Sequence, residues 1–157
     1  MITARPATPG DAAELVRLRA VMLRSMAPAH WDDDWREPAR LTFTERLARP
    51  GSTLAAFVVD RPEAGLAACA VGTVEHRIGG PGDPSGLAGY VFNVATDPDM
   101  RRRGYSRACL TGLLDWFRER GIRKVDLRAS ADGEALYRSL GFVRTPDPAM
   151  RLRLPAE

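Results

Sequence analysis

The sequence YVFNVATDPDMRRRGYSRACLTGLL, residues Tyr90–Leu114, decides the fold. Its first part, Tyr90–Thr96, is rich in aromatic and β-branched side chains, which are typical of a strand. The Asp97–Asp99 segment interrupts that pattern, because its proline lacks the N–H that a sheet ladder requires. Apolar residues then recur at helical spacing from Ala108 to Phe117. The stretch therefore predicts a strand, a turn and a helix in direct succession.

The turn before the predicted helix combines small residues with a cluster of positive charge. Gly104 and Ser106 leave room for a ligand to approach the backbone closely. The first N–H groups of a helix have no partner within it, and the helix dipole is positive at that end. The turn and the first helical turn carry Arg101, Arg102, Arg103 and Arg107. The sequence therefore predicts a ligand that carries phosphates.

Two common phosphate-binding motifs are absent from the chain. The P-loop pattern GxxxxGK[ST] does not occur, and the only lysine is Lys124. No GxGxxG run follows a strand, as a dinucleotide fold would require. The predicted strand is followed instead by an Arg-x-x-Gly-x-Ser pattern at residues 101–106. A basic turn that caps an ordinary surface helix is the alternative interpretation of these residues.

Composition narrows the class of protein. With 157 residues, 45% hydrophobic and 27% charged, the chain is expected to form one domain over residues 1–157. The net charge of +3 is modest, and the only dense basic cluster is the turn described above, so no nucleic-acid partner is expected. No apolar run approaches a membrane span and no signal peptide opens the chain, which predicts a cytoplasmic protein. Cys69 and Cys109 are expected to be packed thiols, and no metal site is predicted.

The remaining segments predict an α/β (α+β) fold with a mixed, mostly antiparallel sheet and helices on both faces. Strands are expected over Met1–Ala7, Thr53–Val59, Leu66–Ile78, Tyr90–Thr96 and Lys124–Ser130, from Phe142 onward, and over Met150–Leu154. Helices are expected from Asp11 to Met26, over Ala39–Ala48, from Arg107 to Gly121 and over Asp132–Leu140. The sheet thus has about seven strands.

Two motifs, and the order of elements around them, resemble the GNAT superfamily of acetyl-CoA-dependent N-acetyltransferases. Residues 101–106 resemble its pyrophosphate signature [Q/R]-x-x-G-x-[G/A], with Ser106 at the last position. The run LYRSLGF at Leu136–Phe142 resembles its aliphatic-Tyr-x-x-Leu-Gly-Phe landmark. The preceding Leu127–Gly133 run resembles a common variant of the family's next strand, with Ser130 where many relatives have Asn. The resemblance implies a splayed central strand pair, Tyr90–Thr96 and Lys124–Ser130, with acetyl-CoA as the co-substrate.

The resemblance also implies a set of binding residues. Val94 N–H would hold the thioester carbonyl, and Ala95 and Thr96 would bond the pantetheine arm. The backbone amides of the turn would hold the pyrophosphate, and the arginine side chains would add charge-assisted bonds. Ordinary ladder pairing is the alternative for the strand residues. The full set of implied cofactor-binding residues is Val94, Ala95, Thr96, Arg101, Arg102, Arg103, Gly104, Ser106, Arg107, Ser130 and Tyr137.

The implied reaction is direct attack of a primary amine on the thioester carbonyl in a ternary complex. A backbone N–H at Val94 would stabilise charge on the carbonyl oxygen. Tyr137 lies where many relatives carry the acid that protonates the departing thiolate, although half-buried packing is the alternative. The general base is open among Glu75, His76 and a water chain. Because adjacent strand residues face opposite sides, at most one of the two side chains points into the cleft, and an outward-facing polar residue is the alternative for either.

The acceptor is expected to be a small-molecule amine or a peptide amine. Asp32–Asp34, flanked by Trp31 and Trp35, lies where relatives often build the acceptor pocket, and carboxylates beside aromatic rings suit a cationic amine. A solvated loop with tryptophans packed on the sheet is the alternative. Two other functions remain open: a non-catalytic acyl-CoA-binding or regulatory domain of the same fold, and a basic nucleic-acid binder. A monomer and a homodimer are both compatible with the sequence.

Overall fold

The computed structural model describes residues 2–156. Its strands are β1 (Arg5–Pro6), β2 (Leu54–Asp60), β3 (Leu66–His76), β4 (Leu87–Thr96) and β5 (Val125–Leu127). Its α-helices are α1 (Ala12–Ser25), α2 (Arg36–Ala48), α3 (Tyr105–Glu119) and α4 (Glu134–Ser139), with short 3-10 turns at Pro9–Asp11 and Pro98–Met100. None of the helices within residues 2–156 is long and apolar enough to cross a membrane.

The strands form one mixed sheet in the order β1-β2-β3-β4-β5. The first four strands pair antiparallel with their neighbours, whereas β4 and β5 pair in parallel. The parallel pair is connected by α3, as a parallel connection requires a crossover. The predicted α+β class with a mixed sheet is therefore confirmed.

Helices cover both faces of this sheet. Because successive side chains of a strand point to opposite faces, β2 contributes to two separate cores. Ala56 and Val58 join the core that lies against α1 and α2, and Ala55 and Val59 join the core under α3 and α4. The sheet is therefore the middle layer, and both of its faces exclude water.

The prediction of about seven strands is wrong, because five strands form within the described residues. The first is reduced to Arg5–Pro6, where proline offers no ladder N–H, and Met1 lies outside the described residues. The expected strands at Phe142 and at Met150–Leu154 are absent from the described part of the chain. The apolar residues that alternate in the segment after Phe142 belong to neither core. Their exposed fractions are 80% to 86%, for Val143, Met150, Leu152 and Leu154. The β4–β5 pair consequently lies at the edge of the sheet and not at its centre.

Other boundaries move by a few residues. The strand expected at Lys124–Ser130 is only β5, three residues long. The last predicted helix shortens to α4, and α2 begins at Arg36 and not at Ala39. This earlier start follows from a turn in which Arg36 N–H donates to Asp33 C=O at 3.1 Å and its side chain pairs with the Asp33 carboxylate.

Candidate active site

Strand β4 loses one of its two neighbours halfway along its length. Gly89, Tyr90 and Val91 pair with the three residues of β5, and the pairing ends there. From Phe92 to Thr96, β4 pairs only with β3 among the residues that the structure describes. This open edge of β4, residues 92–96, is called the β4 gap below.

A bulge divides β4 at the beginning of the β4 gap. The register with β3 shifts between Val71, which pairs with Asn93, and Gly72, which pairs with Val91. Phe92 is therefore an extra residue on β4. Such a bulge changes which backbone groups face each neighbour, because pairing alternates along a strand.

The pairing beyond the bulge fixes which amides face the β4 gap. Asp97 N–H donates to Ala67 C=O at 2.9 Å, so this opposed pair is a hydrogen-bonded one. Since bonded and non-bonded pairs alternate, Val94 and Thr96 direct their N–H and C=O groups away from β3 and into the β4 gap. Ala95 is bonded toward β3 by the same rule, so the expectation that its backbone bonds a pantetheine arm does not agree with the ladder.

The start of α3 presents a run of free backbone donors. Arg102 and Gly104 both have left-handed backbone conformations, with φ of 64° and 80°. The first backbone bond of the helix runs from Ala108 N–H to Gly104 C=O at 3.0 Å. The N–H groups of Tyr105, Ser106 and Arg107 have no hydrogen-bond partner within residues 2–156, and no side chain caps the helix. Residues 101–107 are called the α3 cradle below.

The acidic residues nearest to the α3 cradle are bound elsewhere. Asp97 accepts bonds from Arg17 and from Arg61, both at 2.8 Å, and Asp99 pairs with Arg61 as well. Two arginines from distant parts of the chain thus neutralise the carboxylates that flank the α3 cradle. The cradle's own arginines form no ion pair within the described residues, so their charge remains available to an anion.

Two contacts join the β4 gap to the α3 cradle. The hydroxyl oxygens of Thr96 and Ser106 lie 2.5 Å apart, and Arg101 Nε donates to Thr96 C=O at 3.3 Å. The open strand edge and the free helix amides therefore form one continuous polar surface.

Tyr137, on α4, is 9% exposed and packs edge-to-face against Phe142. Its hydroxyl has no hydrogen-bond partner within the described part of the chain, yet no deeply buried polar atom there lacks a partner, so this oxygen reaches solvent. Burial raises the pKa of the Tyr137 phenol above its usual value of 10, so the group is protonated at neutral pH. The side chain is therefore an available proton donor held by packing.

The structure gives Ser130 and Glu75 local partners. Ser130 Oγ accepts the Gly133 N–H at 3.1 Å and so stabilises the start of α4. Glu75 pairs with Arg77 at 2.6 Å and lies opposite Ala88, at the end of β4 that precedes its pairing with β5. It is five residues along β3 from Ala70, the partner of Val94, which corresponds to about 17 Å. The structure therefore does not bring Glu75 to the β4 gap.

Three polar residues near the β4 gap were missed by the sequence analysis. Asp126 lies opposite Tyr90, one position before the β4–β5 pairing ends, and its carboxylate is 3.6 Å from Arg77. An acidic side chain inside an otherwise apolar strand was the available signal. Asn93 is fully buried, and its amide oxygen accepts a bond from Arg19 at 3.2 Å. No sequence pattern connects these two residues, which are far apart in the chain.

The residues expected to form an acceptor pocket bind one another. Trp31 and Trp35 make an edge-to-face pair with centroids 6.0 Å apart, and the Arg24 guanidinium lies 4.1 Å from the Trp31 ring centroid. Asp33 accepts bonds from Arg36 and from the Trp31 indole. One face of Trp31 thus already holds a cation of this chain, which favours the interpretation of this segment as a packed loop.

Comparisons with known proteins agree with this geometry. A family model described as the acetyltransferase (GNAT) family matches residues 20–142. The [ribosomal protein bS18]-alanine N-acetyltransferase of Escherichia coli K12 is 47% identical over 55 residues, which cover 33% of this chain and 37% of that protein. The mycothiol acetyltransferase of Cellulomonas flavigena is 29% identical over 143 residues, covering 80% of this chain and 41% of that protein. The matches thus span about two fifths of these relatives or less.

A solved structure is similar over nearly the whole chain. It is a crystal structure of a predicted acetyltransferase with acetyl-CoA from Clostridium acetobutylicum, 25% identical, with a TM-score of 0.84. The similarity covers 98% of this chain and 96% of that one.

Proposed function

Because this chain belongs to the acetyltransferase (GNAT) family, we propose that it transfers an acetyl group from acetyl-CoA to the amine of a small molecule or a peptide. Residues 1–157 act as one catalytic domain in this proposal. The observation that carries it is the continuity of the β4 gap with the α3 cradle, because a strand edge without a partner and a helix start without a cap adjoin each other. The extended pantetheine arm of acetyl-CoA matches the strand edge, and its pyrophosphate matches the helix start.

The α3 cradle binds the pyrophosphate of acetyl-CoA in this proposal. Its free amides and its left-handed residues Arg102 and Gly104 form an anion-binding concavity at the positive end of the helix dipole. Each well-placed arginine bond to phosphate contributes about 1.5–3 kcal/mol. Val94 and Thr96 supply the strand groups that bond the pantetheine arm.

The chemistry uses groups on both sides of the β4 gap. The amine nitrogen attacks the thioester carbon, a C–N bond forms, and the C–S bond breaks. Val94 N–H stabilises the charge that develops on the carbonyl oxygen, and Tyr137 gives its proton to the departing thiolate. The proton that the amine loses passes to a carboxylate or to water and returns to Tyr137 through solvent.

Two carboxylates compete for the role of general base. Asp126 lies next to the end of the β4–β5 pairing, whereas Glu75 lies farther from the β4 gap and is bound to Arg77. We expect Asp126→Asn to lower kcat about a hundredfold or more, because general base catalysis has that typical size, and Glu75→Gln to change it less than about threefold. Rate profiles against pH for both variants check this. An unchanged acidic limb in Asp126→Asn would remove Asp126 from the role.

Release of free thiol from acetyl-CoA across a panel of primary amines tests the function itself. We expect CoA release that depends on the amine, and an acetylated product detected by mass spectrometry. A non-catalytic acyl-CoA-binding domain would show a higher melting temperature with acetyl-CoA but no release. Salt-dependent binding of DNA or RNA without any response to acetyl-CoA would contradict both.

A further inference from the structure

Arg19 on α1 is a partly buried cation with no anionic partner. The only hydrogen bond of its guanidinium within the described residues is the one that Nη1 donates to Asn93 Oδ1. Burial lowers the pKa of the guanidinium. Among the described residues, only the Cys69 thiol opposes this effect, and burial keeps that thiol protonated. Most of the donors of Arg19 are therefore unused.

Two other partly buried arginines of this chain are paired with carboxylates. Arg5 binds Asp11 and Asp60, and Arg17 binds Glu14 and Asp97. These contacts compensate the loss of hydration that each guanidinium undergoes. Arg19 lacks this compensation, which is the expected state of a charge whose partner is a ligand.

The position of Arg19 indicates which ligand it binds. Asn93, which Arg19 contacts, directly precedes Val94, the residue whose N–H faces the β4 gap. Asn93 is held by its bond to Cys69 Sγ at 3.6 Å, so it orients the guanidinium and does not neutralise it. Arg19 is only partly buried, and Asn93, the residue that it contacts, lies within the β4 gap.

We propose that Arg19 binds a carboxylate of the acceptor, so that the preferred acceptors are amines that also carry a carboxylate. The planar guanidinium matches a carboxylate in a two-bond arrangement. This inference rests on the proposed acetyltransferase activity and names the substrate class of the same site. The carboxylate belongs either to a free amino acid or to an acidic side chain next to the amino end of a peptide.

Matched substrate pairs test the inference. Free amino acids are compared with their amides, and an Ala-Glu dipeptide amide is compared with its Ala-Gln counterpart. We expect wild-type kcat/KM to favour the carboxylate form of at least one pair by about tenfold or more, the typical effect of a hydrogen bond to a charged group. In Arg19→Met that preference falls to about one, and Arg19→Lys restores part of it.

Arg40→Met is the matched control, because Arg40 is an arginine on α2 whose partner is Glu37 and which lies outside the site. It keeps the wild-type preference. A general loss of stability in Arg19→Met would lower both members of a pair equally, so the ratio separates recognition from folding.

A binding measurement tests the inference independently of the turnover rate. N-acetylglycine and N-acetylglycinamide are titrated into the enzyme with CoA, and we expect only the former to bind measurably and to depend on Arg19. The inference would be overturned if the carboxylate and amide compounds gave equal kcat/KM and equal binding. A rise in melting temperature with acetyl-CoA in that same protein would leave the proposed function intact.

Discussion

Tyr137 joins two properties that a proton donor requires, a ring fixed by packing and a hydroxyl that reaches solvent. Tyr137→Phe keeps the ring and removes the proton, so we expect kcat to fall about a hundredfold and KM for acetyl-CoA to change little. Because the pKa of this phenol is raised, wild-type activity should persist to pH 10 and fall only above it. Tyr90→Phe, which removes a phenol from β4, serves as the control. An equal rate in wild type and Tyr137→Phe would exclude the acid role.

Glu134 gives a prediction about stability and pH. Bonds from Arg144 and from Arg138 lower the pKa of its carboxylate to about 2 from its usual 4.5. As the pH falls, the unfolded chain therefore takes up a proton at Glu134 before the folded chain does. The stabilisation by Glu134 is present above pH 4.5 and is lost as the pH falls toward 2. Melting curves of wild type and Glu134→Gln should differ near neutral pH and converge in that acidic window. A difference that stays constant down to pH 2 would contradict this account.

Single residues also mark where sequence reasoning ends. Val94 and Thr96 could be named because a strand before a basic turn is a local pattern. The expectation for Ala95 is not supported by the ladder, since the phase of the ladder depends on the extra residue Phe92, which the sequence does not show. The contact of Arg19 with Asn93 joins residues that are 74 positions apart and has no local signal.

The helix α3 carries the next prediction. Gly104→Glu places bulk and negative charge in the α3 cradle, so the rise in melting temperature with acetyl-CoA should disappear. Gly121→Glu is a close control, because Gly121 follows the other end of α3 and has a φ of 73° with open space around it. Both substitutions cost about 1 kcal/mol in backbone strain, and only the first should abolish the response. Retained stabilisation by acetyl-CoA in Gly104→Glu would contradict the cradle as its site.

The elements themselves differ in how well the sequence predicts them. β4 and α3 follow from local propensity and from a 3.6-residue repeat, so the sequence predicts both to within three residues of their observed ends. The Met150–Leu154 segment has the alternation of a strand, but a strand also needs a partner edge, and the short β5 pairs over only three residues. A local sequence pattern therefore predicts individual helices and strands better than it predicts how the strands pair into a sheet.

At the scale of the whole molecule, the sheet has five strands, and the exposed residues 146–156 add no further strand to it. Deleting residues 146–157 should change the free energy of unfolding by less than about 1 kcal/mol, because exposed side chains contribute little. Urea denaturation of the full and shortened chains measures this. A loss of several kcal/mol would show that the tail adds strands to the sheet in solution, as its alternation predicts.

The bulge at Phe92 has a consequence for how this site can change. The donors at positions 94 and 96 are main-chain groups, so replacing their side chains leaves them in place. If every residue of β4 paired with β3, the alternation counted from Val91 would instead turn these groups toward β3 and expose those of Ala95. The site is thus encoded as a difference of one residue between two adjacent strands, a property that belongs to no side chain and that substitutions at positions 94 and 96 leave untouched.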